Sequence, residues 1–418
     1  MERALLVGAP MKGAGARRHL AEHLEELAEL ADTAGATVVG EVSQLLDRPH
    51  PGTYLGSGKL EELKTLVAEK DATLVIFDDE LSPAQLRNIE QSVGKRVMDR
   101  AELILDIFAV RARSSEAKMQ VELAQLEYLL PRLTRMWTHL EKFRGGIGMR
   151  GPGETQLETD RRLIGHRIRM LKDRLADVQR ARQVQRQSRR QSFRASLVGY
   201  TNAGKSSILR ALAGAPEVFV EDRLFATLDP LTREADLGEG QRVLVTDTVG
   251  FIRKLPHDLV ASFRATLEEV KEADLLLHVI DASHPLWEDH ARVVWQVVEE
   301  IGAAERPMLT LFNKMDRVTE EMAPSLHERA REIAPECVFV SALAEGGLEP
   351  LRRALLATVR KLKPVTELRV SASDGRLLAE LHRTGEVLDQ RHDGDDMVVR
   401  VRLDAAALGR LRAAGAKG

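Results

Sequence analysis

The chain has 418 residues and one cysteine, Cys337. A single cysteine excludes a disulfide framework and a structural zinc site built from several cysteines, and it favours a reducing compartment. No apolar run approaches the roughly 20 residues of a membrane span, and the start lacks the apolar segment of a signal peptide. We therefore expect a cytoplasmic protein, with a peripheral place at the membrane, through a partner, as the alternative.

Aromatic residues make up only 4% of the chain, which argues against a sheet surface that stacks single-stranded bases. The formal net charge of -3 is also small, but it conceals a basic block. Residues 161–194 contain twelve Lys and Arg residues and two Asp residues. Such a block favours a polyphosphate-binding face, because each basic residue that neutralises a phosphate releases a counterion. A solvated helix surface explains the same block equally well.

The first 114 residues alternate short apolar runs with helical patterns, which predicts a small α/β domain with a largely parallel sheet. Residues 364–418 predict a small α+β domain with the order strand, helix, strand, strand, helix. The strands predicted in the first domain span residues 5–7, 37–42, 73–77 and 96–98, and its helices span residues 20–34, 60–70 and 82–93.

Two apolar seams at coiled-coil spacing occupy residues 115–194. The first runs from Met119 to Leu140 and is interrupted by Pro131, which should break the helix there. The second runs from Leu157 to Val178, and the glycine-rich segment 145–153 separates the two. The pattern predicts a long, basic, antiparallel helical hairpin with a glycine-rich tip. A coiled coil that pairs two chains is the alternative interpretation, although we expect a monomer.

Residues 195–363 return to alternating strands and helices, with strands predicted at 195–198, 242–246, 274–280, 307–312 and 338–340. The sequence GYTNAGKS, residues 199–206, follows the first strand and opens a helix, as a phosphate-binding loop does. In such a loop the backbone N–H groups surround the phosphates. Lys205 would reach the β- and γ-phosphates, and the Ser206 hydroxyl would bind Mg²⁺.

Three further motifs follow in the order expected of a GTPase. DTVG at 247–250 offers Asp247 for Mg²⁺ and the Gly250 N–H for the γ-phosphate. NKMD at 313–316 places Asp316 to accept hydrogen bonds from guanine, which selects GTP over ATP. SAL at 341–343 closes the base pocket. Four motifs in this order predict a P-loop GTPase domain with a central, mostly parallel sheet.

Residues 195–363 resemble the GTPase domain of the Era–Obg–HflX group, and three other segments resemble the HflX family specifically. These segments are GTYLGSGKLEEL at 52–63, LILDIFAVRARSSEAKMQVELAQL at 103–126 and GPGETQLETDRR at 151–162. The resemblance implies a GTPase that binds the large ribosomal subunit. It further implies that stalled or idle ribosomes are dissociated into subunits, and that Thr227 contacts Mg²⁺ and the γ-phosphate in the first switch. From the residues themselves we expect hydrolysis that is slow alone and stimulated by the ribosome.

The motifs and the resemblance together give the expected site residues. The catalytic candidates are Lys205, Thr227 and Gly250, and the Mg²⁺ ligands are Ser206, Thr227 and Asp247. The nucleotide-binding residues are Gly199, Tyr200, Thr201, Asn202, Ala203, Gly204, Lys205, Ser206, Ser207, Asp247, Gly250, Asn313, Lys314, Asp316, Ser341, Ala342 and Leu343. The RNA-binding candidates are Arg144, Arg150, Arg161, Arg162, Arg167 and Arg169.

Two residues at the predicted site depart from ordinary regulatory GTPases. Phe251 stands where a glutamine often positions the attacking water, and its side chain makes no hydrogen bond, so we expect slow intrinsic hydrolysis. Asn202 occupies the loop position that helps to bind potassium in some cation-activated relatives. We therefore expect Mg²⁺ as the cofactor and treat K⁺ as a second candidate.

Other interpretations remain open from the sequence. GSGK at 56–59 invites a second nucleotide site, but Leu60 follows the lysine where a hydroxyl is needed, so a turn that starts a helix is favoured. The alternatives for the whole chain are a nucleotide-dependent RNA-remodelling factor, a ribosome assembly or hibernation factor, and a GTP-dependent scaffold for a protein partner.

Overall fold

The computed structural model describes residues 2–13, 16–133, 156–187, 193–217, 221, 223–239, 241–254, 264–362, 364–403 and 405–418. Within these ranges three separate sheets are present, one in each of the regions that the sequence predicted to contain strands. No helix in the described ranges is both long enough and apolar enough to cross a membrane.

The N-terminal region is a four-stranded parallel sheet with strand order β2-β1-β3-β4, as the alternating pattern predicted. Its central strands β1 and β3 are apolar and almost entirely buried, as expected when both faces of a parallel sheet are covered. The strands are Arg3–Gly8 (β1), Thr37–Ser43 (β2), Leu74–Phe77 (β3) and Arg96–Asp99 (β4). The helices are Ala16–Thr33 (α1), Ser57–Glu69 (α2), Pro83–Val93 (α3) and Arg100–Arg111 (α4).

The starts of α2 and α3 follow from local chemistry. Ser82 accepts a hydrogen bond from the Gln85 N–H, and the Gln85 side chain accepts one from the Ser82 N–H, which forms a capping box. The helix α2 begins at Ser57 after the N-cap Gly56, so the GSGK segment starts a helix, as the favoured interpretation predicted.

The middle region contains Ser115–Leu129 (α5) and the 32-residue helix Gln156–Gln187 (α6), which is about 48 Å long at 1.5 Å per residue. After α5 the chain makes a 3₁₀ turn at Leu130–Arg132, where Pro131 breaks the α-helix as predicted. The two predicted seams meet: Leu123 of α5 packs with Leu171 and Leu175 of α6. The segment 145–153, predicted as the tip, lies outside the described residues.

The third region is a six-stranded sheet with order β10-β9-β8-β5-β7-β6, parallel except for the β6–β7 pair. The antiparallel edge strand β6 is the one strand here that the sequence did not predict. The strands are Arg194–Gly199 (β5), Leu231–Gly238 (β6), Gln241–Asp247 (β7), Leu275–Asp281 (β8), Met308–Asn313 (β9) and Val338–Phe339 (β10). The helices are Lys205–Ala213 (α7), Arg264–Lys271 (α8), Trp287–Glu300 (α9), Ala323–Ile333 (α10) and Glu349–Leu362 (α11).

The C-terminal region confirms the predicted element order and forms a three-stranded antiparallel sheet with order β11-β13-β12. Its elements are Val365–Ser371 (β11), Gly375–Thr384 (α12), Glu386–Asp393 (β12), Asp396–Arg402 (β13) and Ala405–Ala413 (α13). It has a hydrophobic core of its own, which includes Leu368, Leu381 and Val399.

A single hydrophobic cluster joins the N-terminal region to the six-stranded region. It includes Phe108 of α4 together with Phe225 and Phe251 of the segments that connect β5 to β6 and follow β7. The rings of Phe108 and Phe225 meet edge to face with their centroids 4.7 Å apart. The packing of the N-terminal region therefore extends directly to the segments beside the phosphate-binding loop.

Candidate nucleotide site

The phosphate-binding loop connects the carboxyl end of β5 to the first residue of α7 and contains two glycines that tolerate no side chain. A Cβ on Gly199 would lie 2.4 Å from the carbonyl oxygen of Val279. Gly204 has φ +93°, and a Cβ there would lie 2.3 Å from Nδ2 of Asn313. The loop therefore packs its backbone against β8 and the NKMD segment, and it ends at the N-terminus of α7, where anions bind.

Lys205 is buried inside this loop. Its Nζ donates hydrogen bonds to the carbonyl oxygens of Gly199 at 3.0 Å and Tyr200 at 2.8 Å. Burial lowers the pKa of Lys205 to about 8, against the opposing effect of Asp247. An ammonium in this desolvated position gains strongly from the arrival of phosphate oxygens.

Three oxygen-bearing side chains expected to bind Mg²⁺ lie together. Oγ of Ser206 is 2.8 Å from Oγ1 of Thr227 and donates to Oδ2 of Asp247 at 2.6 Å. The other carboxylate oxygen, Oδ1 of Asp247, is buried without a hydrogen-bond partner, and burial raises the pKa of this carboxyl. Hard oxygen donors with one orphaned carboxylate oxygen fit a Mg²⁺ ion that also binds nucleotide phosphates.

The base end of the site is built from the NKMD and SAL segments. Asn313 donates from Nδ2 to the carbonyl oxygen of Ala203 at 3.0 Å and accepts from the Ala342 N–H at 3.1 Å, so it ties the two segments to the loop. Lys314 is 2.8 Å from Asp281. The Ser341 hydroxyl donates to Asp316, which orients the carboxylate proposed to contact guanine.

One cavity runs from the phosphate end to the base end. Five of the predicted nucleotide-binding residues are not part of its lining: Gly199, Tyr200, Ala203, Asp247 and Ser341. The predicted residues that line it are Thr201, Asn202, Gly204, Lys205, Ser206, Ser207, Thr227, Gly250, Asn313, Lys314, Asp316, Ala342 and Leu343.

The segment after β7 presses its backbone against the loop. A Cβ on Gly250 would lie 2.7 Å from Cα of Thr201 and 3.1 Å from Nζ of Lys205, so only glycine fits there. The Phe251 N–H donates to the Gly199 carbonyl at 3.1 Å, and its side chain is buried. Phe251 thus belongs to the core and offers the cavity no group that could orient water.

The sequence missed the residues through which the N-terminal region contacts the site. Arg100 is buried and bonds Glu26 and Asp78, each at 2.8 Å. Glu26 also accepts from the Tyr200 hydroxyl and from Arg253 at 3.0 Å. We call Glu26, Asp78 and Arg100 the N-terminal ion cluster. No local pattern could have revealed it, because its partners lie far apart in the chain.

The charges of this cluster are strongly coupled. Burial alone would raise the pKa of Glu26, but Arg100 and Arg253 hold it below its usual value. For Asp78 the effects of Arg100, Lys254 and Arg253 outweigh burial and lower the pKa to about 2. Lys254 donates to Asp78 at 2.7 Å. Both carboxylates are therefore ionised, and they attract the basic residues that follow Phe251.

The cavity lining also contains three charged residues that the sequence missed, Glu221, Arg223 and Arg317, besides the uncharged Phe225, Ala226 and Thr248. The three charged residues lie outside the four motifs. The segment that carries Arg223 is fixed two residues later, where the Phe225 N–H donates to Oγ1 of Thr201 at 2.9 Å.

The RNA-binding candidates are divided by the structure. Arg161, Arg162 and Arg169 are exposed on α6. Arg167 instead forms a bidentate pair with Glu122 of α5, at 2.6 and 2.8 Å, so this guanidinium is already paired with a carboxylate of the neighbouring helix. Arg144 and Arg150 lie outside the described residues.

The parallel sheet, the glycine loop around Lys205, the hydroxyl and carboxylate cluster and the guanine-end motifs define a P-loop GTPase. Family models match three consecutive parts of the chain. Residues 21–109 match the GTP-binding GTPase N-terminal model, residues 111–189 match the GTP-binding GTPase middle-region model, and residues 194–314 match the model described as 50S ribosome-binding GTPase.

Curated relatives carry the same match across most of the chain. The GTPase HflX of Lacrimispora saccharolytica is 46% identical over 379 residues, which cover 90% of this chain and 88% of the relative. The GTPase HflX of Escherichia coli is 46% identical over 364 residues, 87% of this chain and 85% of the relative. Among solved structures, the complex of SsGBP with GDP is similar, with 26% identity and a TM-score of 0.48, covering 87% of this chain and 99% of that chain. The chain belongs to the GTPase HflX family and hydrolyses GTP.

Proposed function

We propose that this GTPase binds the large ribosomal subunit and uses GTP binding and hydrolysis to dissociate stalled or idle ribosomes into subunits. The observation that carries the proposal is the combination of a GTP site with the exposed basic face of α6. On α6 the arginines at 161, 162 and 169 face solvent, as contacts to ribosomal RNA phosphates require. The family model described as 50S ribosome-binding, matched over residues 194–314, supports the same partner.

We assign the roles of the site residues as part of this proposal. Lys205 and the loop N–H groups would hold the β- and γ-phosphates, and Ser206, Thr227 and Asp247 would hold Mg²⁺, which would neutralise charge on those phosphates. The Gly250 N–H donates to the γ-phosphate, and Asp316 accepts from guanine. Because Gly250 touches the loop backbone, loss of the γ-phosphate would release the segment that continues to Arg253 and Lys254.

This segment is also the one that the N-terminal ion cluster holds. The nucleotide state therefore acts on the same residues that dock the N-terminal region, through Arg253 to Glu26 and through Lys254 to Asp78. A switch can shift an equilibrium only through its differential affinity for two states. We propose that the GTP state fixes the arrangement with high affinity for the ribosome and that hydrolysis permits release.

Slow hydrolysis by the isolated protein is part of this proposal, because buried Phe251 cannot orient the attacking water. We propose that the ribosome stimulates the reaction. We further propose that a K⁺ ion near Asn202 contributes charge at the phosphates, and replacing K⁺ with Na⁺ in a turnover assay tests this. The protein would act as a monomer in the cytoplasm.

Sedimentation of assembled ribosomes through sucrose gradients tests the proposed function. We expect free subunits to accumulate with the protein and either GTP or a non-hydrolysable analogue, but not with GDP. Co-sedimentation with intact ribosomes or with the large subunit, without splitting, would contradict dissociation and favour an assembly or hibernation factor. Absence of any association would favour a protein partner.

A pair of variants tests the basic face. We expect Arg161→Glu together with Arg162→Glu to weaken ribosome binding at least tenfold and to reduce its salt dependence, because fewer counterions are released. Arg376→Glu together with Arg410→Glu makes the same change of charge on exposed helices of the C-terminal region. Equal loss of binding in both pairs would reject a specific role for α6.

A further inference from the structure

Arg223 lines the nucleotide cavity from outside the four GTPase motifs. The described basic residues of the cavity lining are Lys205, Arg223, Lys314 and Arg317. Lys314 and Arg317 flank Asp316 at the base end, and Lys314 is engaged by Asp281 at 2.8 Å. Lys205 and Arg223 are therefore the two cations available to the phosphates.

The segment that carries Arg223 runs along the phosphate-binding loop. Two residues after Arg223, the Phe225 N–H donates to Thr201 of the loop at 2.9 Å. Four residues after Arg223, Oγ1 of Thr227 lies 2.8 Å from Oγ of Ser206 at the end of the loop. Arg223 therefore belongs to a segment that borders the phosphate-binding loop, and its side chain lines the same cavity as Lys205.

Arg223 makes only a long ion pair with Glu221, and Glu221 makes a shorter one with Arg111. Its Nη1 lies 3.9 Å from Oε1 of Glu221, and about half of its side chain is exposed. The other oxygen of Glu221, Oε2, accepts from Arg111 at the end of α4 at 2.5 Å. Arg223 can therefore leave Glu221 without stranding an unpaired carboxylate, and Arg111 keeps Glu221 in place.

The chemistry of the site calls for such a cation. In hydrolysis the water oxygen bonds to the γ-phosphorus, and the bond to the β–γ bridging oxygen breaks with its electron pair left on GDP. One proton of the water stays on the oxygen that joins the phosphorus, and the other passes to a γ-phosphate oxygen, so the products are GDP and dihydrogen phosphate. Negative charge grows on the bridging and γ-phosphate oxygens in the transition state, and an arginine supplied by the same chain can stabilise it.

We propose that Arg223 is a catalytic residue that contacts the terminal phosphates of GTP during hydrolysis, and that Glu221, fixed by Arg111, holds it at the cavity wall before GTP binds. Phe251 stands in place of a water-positioning glutamine, and its side chain is buried in the core. The Arg223 guanidinium then stabilises the transition state of a site that lacks this glutamine. That the chain hydrolyses GTP follows from its family and is independent of the role proposed for Arg223.

Single-turnover GTP hydrolysis by the full chain tests the assignment. For Arg223→Ala we expect the rate to fall at least tenfold while the Kd for GDP changes less than threefold, because the contact forms mainly in the transition state. Binding of GDP with aluminium fluoride, which mimics the transferring phosphoryl group, should weaken in parallel with the rate. Arg223→Lys should recover part of the activity, because it restores the charge without the guanidinium fork.

Arg233→Ala is the matched control, because this arginine lies on β6 and pairs with the exposed Glu217 at 3.3 Å. Thermal unfolding of each variant establishes that it is folded, and Arg223→Gln is the substitute if the alanine variant is not. A hydrolysis rate within twofold of the unaltered protein would overturn the assignment. An equal loss of affinity for GDP, GTP and the aluminium fluoride complex would also overturn it.

Glu221→Gln tests the proposal that Glu221 holds Arg223 at the cavity wall before GTP binds. We expect it to raise the hydrolysis rate two- to fivefold in the otherwise unaltered chain and to change the rate less than 1.5-fold in the Arg223→Ala background. An equal increase in both backgrounds would mean that Glu221 acts through its own charge and not through Arg223.

Discussion

His278 is a buried imidazole in the middle of β8, close to the phosphate-binding loop. Its Nε2 makes no hydrogen bond, and burial, with a smaller effect of Lys205, lowers its pKa from 6.5 to about 4. A histidine with a lowered pKa in the folded state binds its proton preferentially in the unfolded state. The contribution of neutral His278 to the free energy of unfolding is therefore fully present above pH 6.5 and is lost as the pH falls towards 4.

We predict that the free energy of unfolding falls by about 1.4 kcal/mol between pH 8 and pH 5.5 because of His278 alone. Urea denaturation at the two pH values measures the total change. His278→Leu should remove this part of the pH dependence, whatever its effect on stability at pH 8. An unchanged difference between the two pH values in the variant would contradict the prediction.

At the residue scale, the sequence predicted the site residues that belong to motifs. It missed the residues whose partners lie far away in the sequence. Lys205, Ser206 and Asp247 stand in fixed order on consecutive segments, so their assembly could be anticipated. Arg223 and Glu26 belong to no motif, and their neighbours are set by packing between regions. A pattern read along the chain contains no information on such contacts.

The seam between α5 and α6 is the element on which the basic face depends. Leu171 is fully buried there, and ion pairs link Glu122 to Arg167 and Glu127 to Lys172 on its two sides. The pairs are largely exposed, so they contribute little, and the apolar contacts provide most of the stability.

We predict that Leu171→Ala destabilises this helix pair by about 2–5 kcal/mol, through lost burial and the cavity left behind. Hydrogen exchange of α6 amides, measured by mass spectrometry, should become faster accordingly. Leu163→Ala is the matched control, since Leu163 is 54% exposed on the same helix. Similar exchange in the two variants would contradict the role given to the seam.

Elements with a clear apolar period were predicted, and elements without one were missed. The seams of α5 and α6 repeat every three or four residues, so both helices were expected. Helix α4 is buried around most of its surface, so it has almost no polar face to reveal its period. Strand β6 pairs on one side only and carries exposed charged residues, which conceals it.

For the whole molecule, the N-terminal ion cluster of Glu26, Asp78 and Arg100 joins the N-terminal region to Arg253 and Lys254 in the segment after β7. Lys254 is the accessible part of this junction, one-third exposed, and it pairs with Asp78 at 2.7 Å. Asp78 retains Arg100 when Lys254 is removed, so the loss weakens the junction without leaving a buried charge alone.

We predict that Lys254→Met weakens the junction by about 1.5–3 kcal/mol, the range of a hydrogen bond to a charged group. Hydrogen exchange across residues 247–254 should then become about 10- to 150-fold faster, since about 1.4 kcal/mol corresponds to a factor of ten. Arg242→Met removes an exposed ion pair with Glu234 inside the GTPase region and serves as the control. Exchange that is unchanged by Lys254→Met would show that apolar packing alone holds the segment.

Arg100 has a further consequence during synthesis of the chain. Lys254 is added 176 residues after Asp78, which takes roughly 9–35 s at about 5–20 residues per second. Throughout this interval the N-terminal region has two ionised carboxylates, Glu26 on α1 and Asp78 after β3, and lacks the basic residues Arg253 and Lys254 that pair with them. Arg100 is added only 22 residues after Asp78 and pairs with both carboxylates, so these buried groups have a cationic partner within the N-terminal region long before Arg253 and Lys254 are made.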